Sequence, residues 1–157
     1  LPKTLRVAFD ASALEGAGRG GSSLVGIHTG GRGEKGLARE RLVSLGMRLK
    51  DKGVDTVFFF GPDEVGEPAL FEAHGFACFA PPTIAEFGGF LPHLRLFVSC
   101  DTGPMHMAAA AGIATISFFM AITPDRFGPR GAKNRCEVIY NDTDIATLVL
   151  ARLRELA

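Results

Sequence analysis

Apolar residues recur along this chain in short unbroken runs, and the segments between the runs have helical spacing. The runs predict six buried β-strands, at residues 24–28, 56–60, 76–79, 96–99, 115–118 and 136–140. Helices are predicted at residues 37–52, 68–74, 83–90, 105–111 and 144–157. Because the strands are apolar without alternation, helices should cover both faces of the sheet. The sequence therefore predicts an α/β fold with a doubly wound, mainly parallel sheet.

Two of the predicted helices begin with side chains that suit capping. Thr83 precedes a helix and Glu86 stands three residues later, which is the capping-box spacing. Asp142 and Asp144 have the spacing of a D-x-D metal motif, but they stand just before the last helix. Asp is an ordinary cap at that position, so capping is the favoured interpretation.

The first 23 residues are predicted to be a linker or interdomain segment, and residues 24–157 a single domain. Residues 15–23 are rich in Gly and Ser, which is typical of a flexible linker. Gly16, Gly18 and Gly21 match G-x-G-x-x-G there, but the match precedes a strand instead of opening a helix. It therefore predicts no dinucleotide site.

The charge balance excludes one class of function. The chain of 157 residues has 17 Lys and Arg against 17 Asp and Glu, whereas a strongly basic nucleic-acid binder has an excess of cations. The balance is uneven along the chain, because residues 1–50 hold nine cations and four carboxylates while residues 51–100 hold two and seven. Chance clustering on the surface explains this asymmetry, and attraction of an anionic ligand is the alternative.

Cysteine usage and hydropathy bear on the compartment. Cys78, Cys100 and Cys136 form neither a disulfide framework nor a zinc pattern. We therefore expect reduced thiols in a cytoplasmic protein. No apolar run reaches the roughly 18 residues of a membrane span, so no transmembrane segment is predicted.

The loop after the first strand is rich in glycine. Residues 29–36 place glycines where backbone N–H groups can approach an anion, and the next helix directs its positive end there. Lys35 adds a full positive charge. Gly31, Gly33 and Gly36 also match G-x-G-x-x-G, which is a weak signal, and there is no Walker A sequence. Phosphate contact is favoured over a simple turn with a solvated lysine.

The loop after the fourth strand is the most informative. Thr102 can cap the following helix, Gly103 allows a tight turn and Pro104 suits the first helical position. Free N–H groups at such a terminus can hold a pyrophosphate, and His106 can donate to a phosphate or a hydroxyl. Asp101 would repel phosphate but can accept from sugar hydroxyls. A well-capped helix with an incidental histidine is the alternative. Asp-Thr-Gly is also an aspartic-protease sequence, but those enzymes pair two such carboxylates in an all-β fold.

These motifs resemble a known family. The stretch 96–112 (LFVSCDTGPMHMAAAAG) is similar to the signature of the lipopolysaccharide heptosyltransferases, glycosyltransferase family 9. Residues 25–31 together with Lys35 resemble the family's phosphate loop, and residues 123–129 resemble the segment after the next strand. The resemblance covers roughly residues 24–157.

The resemblance implies a GT-B architecture of two Rossmann-like domains, with ADP-heptose bound mainly by the C-terminal one. This chain resembles that C-terminal, nucleotide-sugar-binding domain. In the family, the general base is an Asp of the N-terminal domain, and the lipopolysaccharide-core acceptor binds there. The fragment is therefore expected to bind the donor without transferring the sugar, and the full-length protein to be cytoplasmic or peripheral to the inner membrane.

The resemblance also assigns roles to single residues. Lys35 is expected at the diphosphate. Glu64 is expected at the ribose or adenine, with Asp63 as a rival for that contact. Asp101 is expected at the heptose hydroxyls. The remaining diphosphate contacts are expected from Thr29, Gly30, Thr102, Gly103 and His106. No metal and no cofactor are expected, because Lys35 and two helix N-termini can stabilise the leaving diphosphate.

Two departures from the family pattern leave the sugar and the nucleotide open. Residues 119–123 replace the usual Phe-Gly-Pro-Thr, and Gly36-Leu37 replaces the usual aromatic after the lysine. The alternatives are a GT-B transferase that uses another nucleotide sugar, a non-catalytic binding module, and a dinucleotide-binding oxidoreductase domain. The last of these should have an acidic residue at the end of its second strand, where Gly61 stands.

Overall fold

The structure is a computed structural model that describes residues 23–31, 36–64, 66–120, 124–125 and 128–157. Its strands β1 to β6 span Val25–His28, Thr56–Phe59, Ala77–Phe79, Leu96–Cys100, Thr115–Met120 and Asn134–Ile139. The helices α1 to α5 span Arg39–Asp51, Pro68–Glu72, Ile84–Phe90, Gly103–Ala110 and Ile145–Glu155. A 3₁₀ turn at Leu91–His93 follows α3. The predicted linker lies outside the described residues, except for Ser23.

The six strands form one sheet in the order β3-β2-β1-β4-β5-β6, and every pairing is parallel. The chain builds outward from β1 to β3 on one side, and then crosses back to β4 and builds outward to β6 on the other. The predicted α/β, doubly wound, parallel fold is confirmed. In this order β1 and β4 are neighbours at the centre, with Ile27 aligned to Val98.

The predicted elements all form, with shifts of one or two residues at several ends. Helix α4 begins at Gly103, two residues before the prediction, because Pro104 is accommodated in the first turn. Strand β6 begins two residues earlier than predicted, at Asn134. It is an edge strand with two exposed side chains and one fully buried one, so its apolar pattern is weaker than that of the central strands.

Helices cover both faces of the sheet and create two separate apolar cores. One core joins strand residues such as Ile27 and Phe58 to α1, α2 and α5. The other joins strand residues such as Phe59 and Phe97 to α3, the 3₁₀ turn and α4. Strand β4 is buried at all five positions, which explains why Ser99 is the single hydroxyl-bearing residue in an otherwise apolar strand.

Helix α1 approaches the sheet closely through a glycine. Leu42, Leu45 and Leu49 form its buried face, as their spacing predicts. Gly46 lies on the same face, and a Cβ there would come within 2.7 Å of Phe76 Cζ and 2.9 Å of Phe58 Cζ. The helix ends where Gly53 adopts a positive φ of 70°.

The caps predicted for α3 and α5 are both present. Thr83 Oγ1 accepts from the N–H of Glu86 at 3.2 Å, and the Thr83 hydroxyl donates to Glu86 Oε2 at 3.1 Å, which caps the start of α3. Asp144 accepts from the N–H of Thr147 at 3.1 Å at the start of α5. The D-x-D sequence therefore serves as a helix cap, as favoured.

Candidate functional site

The carboxyl ends of β1 and β4 define a crevice. The chain leaves β1 toward β2 on one side and leaves β4 toward β5 on the other. The following loops therefore diverge and leave an open space between them. In open α/β sheets, ligands bind at this switch point. The described residues 29–31 and 101–106 of the two glycine-containing loops directly follow these strands.

Residues at the end of β1 are held by contacts to the end of β2. Thr29 is buried, and its N–H donates to Phe59 O at 3.0 Å. Its Oγ1 lies 3.0 Å from both Phe59 O and Glu64 Oε1, so these two acceptors share one hydroxyl proton. The Gly30 N–H donates to Nδ1 of His28 at 3.2 Å. A Cβ at Gly30 would come within 2.5 Å of the imidazole Cε1, so a side chain there would displace the ring.

Glu64 connects three segments around the crevice. Its Oε2 accepts from the N–H of Gly61 at 2.5 Å, and its Oε1 accepts from Arg39 Nη2 at 2.9 Å and from Thr29. Arg39, in the first turn of α1, also donates to the Thr29 carbonyl at 2.7 Å and forms an ion pair with Glu67. The loop after β1, the loop after β2 and helix α1 are therefore all bound to one carboxylate, and the Glu64 side chain is only 14% exposed.

Residues 1–50 carry an excess of positive charge, and each of their arginines that the structure describes contacts another group of the protein. Arg39 meets Glu64 and Glu67. Arg41 donates to the carbonyl of Thr143 at 2.7 Å, and Arg48 pairs with Asp144 at 2.6 Å. These contacts account for part of the charge asymmetry without a ligand. Lys35 lies outside the described residues, so its predicted contact with an anion stays a prediction.

The loop after β4 presents an open helix terminus. Thr102 occupies the N-cap position of α4, as predicted, but its hydroxyl makes no capping hydrogen bond. That hydroxyl is buried and finds no partner among the residues described. Gly103 is exposed, with no atom within 4 Å of a would-be Cβ. The first N–H groups of α4 are therefore open to an acceptor from the crevice.

The other predicted residues of this loop flank that terminus. Asp101 is partly buried and directly follows β4. His106 lies in the first turn of α4 and is exposed, whereas its neighbour Met105 is fully buried. The structure thus joins Thr29 to Glu64 and Gly30 to His28 at the end of β1, and it brings the 101–106 segment to the adjacent strand end. Asp63 is exposed, and Glu64 is the residue that contacts the β1 loop.

An apolar cavity of about 350 Å³ opens beside the crevice. It extends over the ends of β1, β2 and β3 and reaches the start of α4. Its lining residues are His28, Phe59, Phe60, Gly61, Pro62, Pro81, Pro82, Thr83, Ile84, Phe87, Gly103, Pro104 and Met107. A cavity with this lining suits a flat, largely apolar group such as a nucleobase.

His28 is a candidate site residue that the sequence analysis missed. Burial lowers the pKa of its imidazole, and the neighbouring Glu64 carboxylate only partly opposes that effect. The signal in the sequence was its position as the last residue of β1, directly before the glycine-rich loop. The sequence pattern identifies His28 only as the last residue of a strand and does not indicate that it borders a cavity.

The described residues show neither a metal cluster nor a helix that could span a membrane. Within the described ranges, no group of three or more His, Cys, Asp or Glu side chains is arranged to hold a metal ion. No helix there is long and apolar enough to cross a membrane. The three cysteines are free, and burial raises the pKa of the Cys78 thiol to about 12.

The sheet order and the crevice define a Rossmann-like α/β domain, a class that binds nucleotide-containing ligands at this place. Comparison with known families is more specific. The sequence model of the family described as glycosyltransferase family 9 (heptosyltransferase) matches residues 5–147, and the chain belongs to this family. The resemblance stated from the sequence motifs is confirmed.

Several similar proteins are named as heptosyltransferases, in agreement with the family. Lipopolysaccharide heptosyltransferase 3 of Escherichia coli is 34% identical over 82 aligned residues, covering 46% of this chain and 24% of that protein. E. coli heptosyltransferase WaaC with ADP has a TM-score of 0.71 at 21% identity, covering 87% of this chain and 45% of that one. E. coli ADP-heptose lipopolysaccharide heptosyltransferase II has a TM-score of 0.72 at 20% identity, covering 93% and 50%.

A family 9 glycosyltransferase from Veillonella parvula also matches, with a TM-score of 0.70 at 17% identity, over 99% of this chain and 52% of that one. These structures confirm the Rossmann-like, GT-B type of fold. The chain spans about half the length of these solved relatives, and its aligned segment covers about a quarter of the curated one.

Proposed function

We propose that this chain is the donor-binding domain of a family 9 glycosyltransferase and that it holds ADP-heptose. The observation that carries the proposal is the crevice between the ends of β1 and β4, where an open helix terminus lies beside an apolar cavity. Support comes from the similar fold of WaaC, which was solved with ADP and with ADP-2-deoxy-2-fluoro heptose.

The diphosphate is proposed to lie between the two glycine-containing loops. The open N-terminus of α4, at Thr102 and Gly103, offers N–H donors and the positive end of a helix dipole. His106 stands exposed in the first turn of the same helix. Thr29, Gly30 and Lys35 approach from the β1 side in this proposal, and Lys35 adds the full charge.

The nucleoside is proposed to occupy the apolar cavity. Phenylalanine and proline side chains provide most of its surface, which favours a purine ring over a charged group. Glu64 lies next to Gly61 at the cavity's edge, where its carboxylate can accept from a ribose hydroxyl. Asp101, at the end of β4, is proposed to accept from hydroxyls of the heptose.

The proposed chemistry is an inverting transfer to the lipopolysaccharide core that needs no metal. Negative charge builds on the ADP leaving group as the glycosidic bond breaks, and preorganised N–H groups and Lys35 stabilise that charge. The general base and the acceptor site are proposed to lie in a second domain outside this chain. The chain alone is therefore proposed to bind the donor and to be inactive in transfer.

A nucleotide titration of this chain tests the proposal. Calorimetry should detect binding of ADP that is tighter than binding of UDP or NAD, and EDTA should leave the ADP affinity unchanged. Tighter binding of UDP would indicate another nucleotide sugar. Tight binding of NAD without ADP would favour the oxidoreductase alternative, and a large loss with EDTA would contradict the metal-independent mechanism.

A lysine variant tests the diphosphate site in the same titration. Lys35→Ala should weaken ADP binding by about 1–3 kcal/mol, as expected for a lost charged hydrogen bond. The matched control is Lys50→Ala, an exposed lysine in the last turn of α1, which should bind ADP like the unaltered chain. Equal affinities of the two variants would remove Lys35 from the site.

A further inference from the structure

The apolar cavity contains few polar side chains that a ligand could use. Among the lining residues that the structure describes, only His28 and Thr83 carry a side-chain N–H or O–H group. The Thr83 hydroxyl already accepts from the N–H of Glu86 and lies within hydrogen-bond distance of that residue's carboxylate. The side-chain donor left for a ligand in this cavity is therefore on His28.

The local geometry fixes which nitrogen of His28 carries the proton. The Gly30 N–H donates to Nδ1 at 3.2 Å, so Nδ1 acts as an acceptor. A neutral imidazole with an accepting Nδ1 carries its proton on Nε2. Nε2 donates to no residue in the part of the chain that the structure describes, so its N–H is available to a ligand.

The charge state of His28 restricts the kind of acceptor it suits. Burial lowers the pKa of the imidazole and keeps it neutral at pH 7, with Glu64 and Arg39 as the charged groups that act on it in opposite directions. A neutral donor in an apolar cavity matches a neutral acceptor, such as a ribose oxygen or a purine nitrogen. A diphosphate would instead favour a charged partner.

We propose that the Nε2–H of His28 donates a hydrogen bond to the nucleoside part of the bound nucleotide, and that His28 thereby contributes to nucleotide specificity. This inference rests on the proposed function, because it requires a nucleotide in the crevice. Gly30 is then a positioning residue, since its N–H sets the tautomer and a side chain at that position would displace the ring.

Two substitutions separate the roles of the two nitrogens. In His28→Asn, the amide oxygen can replace Nδ1 as the acceptor for Gly30, but no donor reaches the position of Nε2. In His28→Gln, the longer side chain places an N–H near that position. We expect His28→Asn to weaken ADP binding about tenfold, and His28→Gln to restore it to within about threefold of the unaltered chain.

The controls distinguish this contact from general damage to the site. Inorganic pyrophosphate should bind both variants and the unaltered chain equally, because it lacks the nucleoside. His74→Asn alters an exposed histidine after α2 and should leave ADP binding unchanged. In ¹⁵N spectra, the Nε2 resonance of His28 should be that of a protonated nitrogen and should shift with ADP but not with pyrophosphate.

Each other outcome overturns a specific statement. If the unaltered chain binds ADP and His28→Asn binds it equally well, the role of His28 is wrong while the proposed function stands. If His28→Asn weakens pyrophosphate as strongly as ADP, the contact is not to the nucleoside. If the unaltered chain binds no nucleotide, the proposed function fails and this inference fails with it.

Discussion

At the scale of single residues, one carboxylate organises the entrance to the crevice. Glu64 accepts from Gly61, Thr29 and Arg39, which belong to the β2 loop, the β1 loop and α1. A carboxylate that is largely removed from water needs such partners, because an unpaired buried charge is strongly destabilising. Glu64 therefore holds the crevice in shape whether or not it also touches a ribose.

The burial of His28 leads to a prediction about the pH dependence of stability, and this prediction does not depend on any ligand. Its folded-state pKa lies below the value of 6.5 in the unfolded chain, because burial disfavours the charged form. Below pH 6.5 the unfolded chain takes up the proton first, so the free energy of unfolding falls as the pH decreases from about 7 toward 5. Above pH 6.5 the stabilisation is fully present.

Urea unfolding at pH 7.5 and pH 5.0 measures this effect. The decrease in the free energy of unfolding between the two pH values should be smaller for His28→Gln than for the unaltered chain, because the variant has no proton to take up at residue 28. Equal decreases in the two proteins would show that His28 is not buried in its neutral form.

At the scale of elements, the site depends on how closely α1 lies against the sheet. This helix carries Arg39 in its first turn, so its distance from β2 sets where the guanidinium meets Glu64. Gly46 lies in the middle of the buried face and lets the helix approach the rings of Phe58 and Phe76. The glycine lowers helix propensity, and the close packing that it permits offsets that loss.

Two glycine-to-alanine substitutions should therefore act in opposite directions. Alanine favours a helix by roughly 1 kcal/mol over glycine, but a Cβ at Gly46 would lie 2.7 Å from Phe76 Cζ. We expect Gly46→Ala to lower the free energy of unfolding by about 1–3 kcal/mol, as overpacking of a core does. Chemical denaturation provides the measurement.

Gly89 is the matched control. It lies in α3, is exposed, and has no atom within 4 Å of a would-be Cβ. Gly89→Ala should leave the free energy of unfolding unchanged or raise it by up to about 1 kcal/mol. A neutral Gly46→Ala would contradict the close approach of α1 to the sheet.

At the scale of the whole molecule, the two cores differ in their relation to the site. Phe58 and Phe59 are consecutive residues of β2, both fully buried, and they point to opposite faces of the sheet. Phe58 packs against Phe71 and Phe76 with ring centroids 4.6 and 5.1 Å away. Phe59 lies among four rings of the other core and also lines the cavity.

Substituting each residue by leucine should separate stability from binding. Both Phe58→Leu and Phe59→Leu should lower the free energy of unfolding by about 1–2 kcal/mol, less than the ~3–5 kcal/mol of full truncation to alanine. Only Phe59→Leu should also weaken ADP binding, because only that ring forms part of the cavity wall. A comparable loss of affinity in Phe58→Leu would show that the effect on binding is indirect.

Much of the fold could be predicted from the sequence because the relevant signals are local. Largely apolar runs without alternation, such as residues 96–99, indicated strands buried on both faces, and Thr83 with Glu86 indicated a helix start that the structure confirms. Thr102 shows the limit of a local signal, because it stands at the N-cap position and yet its hydroxyl caps nothing. A preference for a position does not determine the hydrogen bond that the side chain makes.

The candidate site was predicted less completely, because its contacts join distant parts of the chain. Thr29 and Glu64 are 35 residues apart, and their hydrogen bond exists only because β1 pairs with β2. His28 borders a cavity that also includes residues after β2 and β3 and the start of α4. No spacing within the sequence connects these segments.

The sequence by itself determined the alternation of strands and helices, the parallel class of the sheet, the two loops at its carboxyl edge and the motifs of family 9. These features follow from periodicity, capping and short motifs, which act over a few residues. Only the tertiary structure decided that Glu64 joins the loops after β1 and β2 to α1, that Thr102 leaves the helix terminus open, and that His28 faces an apolar cavity. The physical reason is that a side chain's partners, burial and protonation depend on which strands lie side by side, and packing alone sets that order.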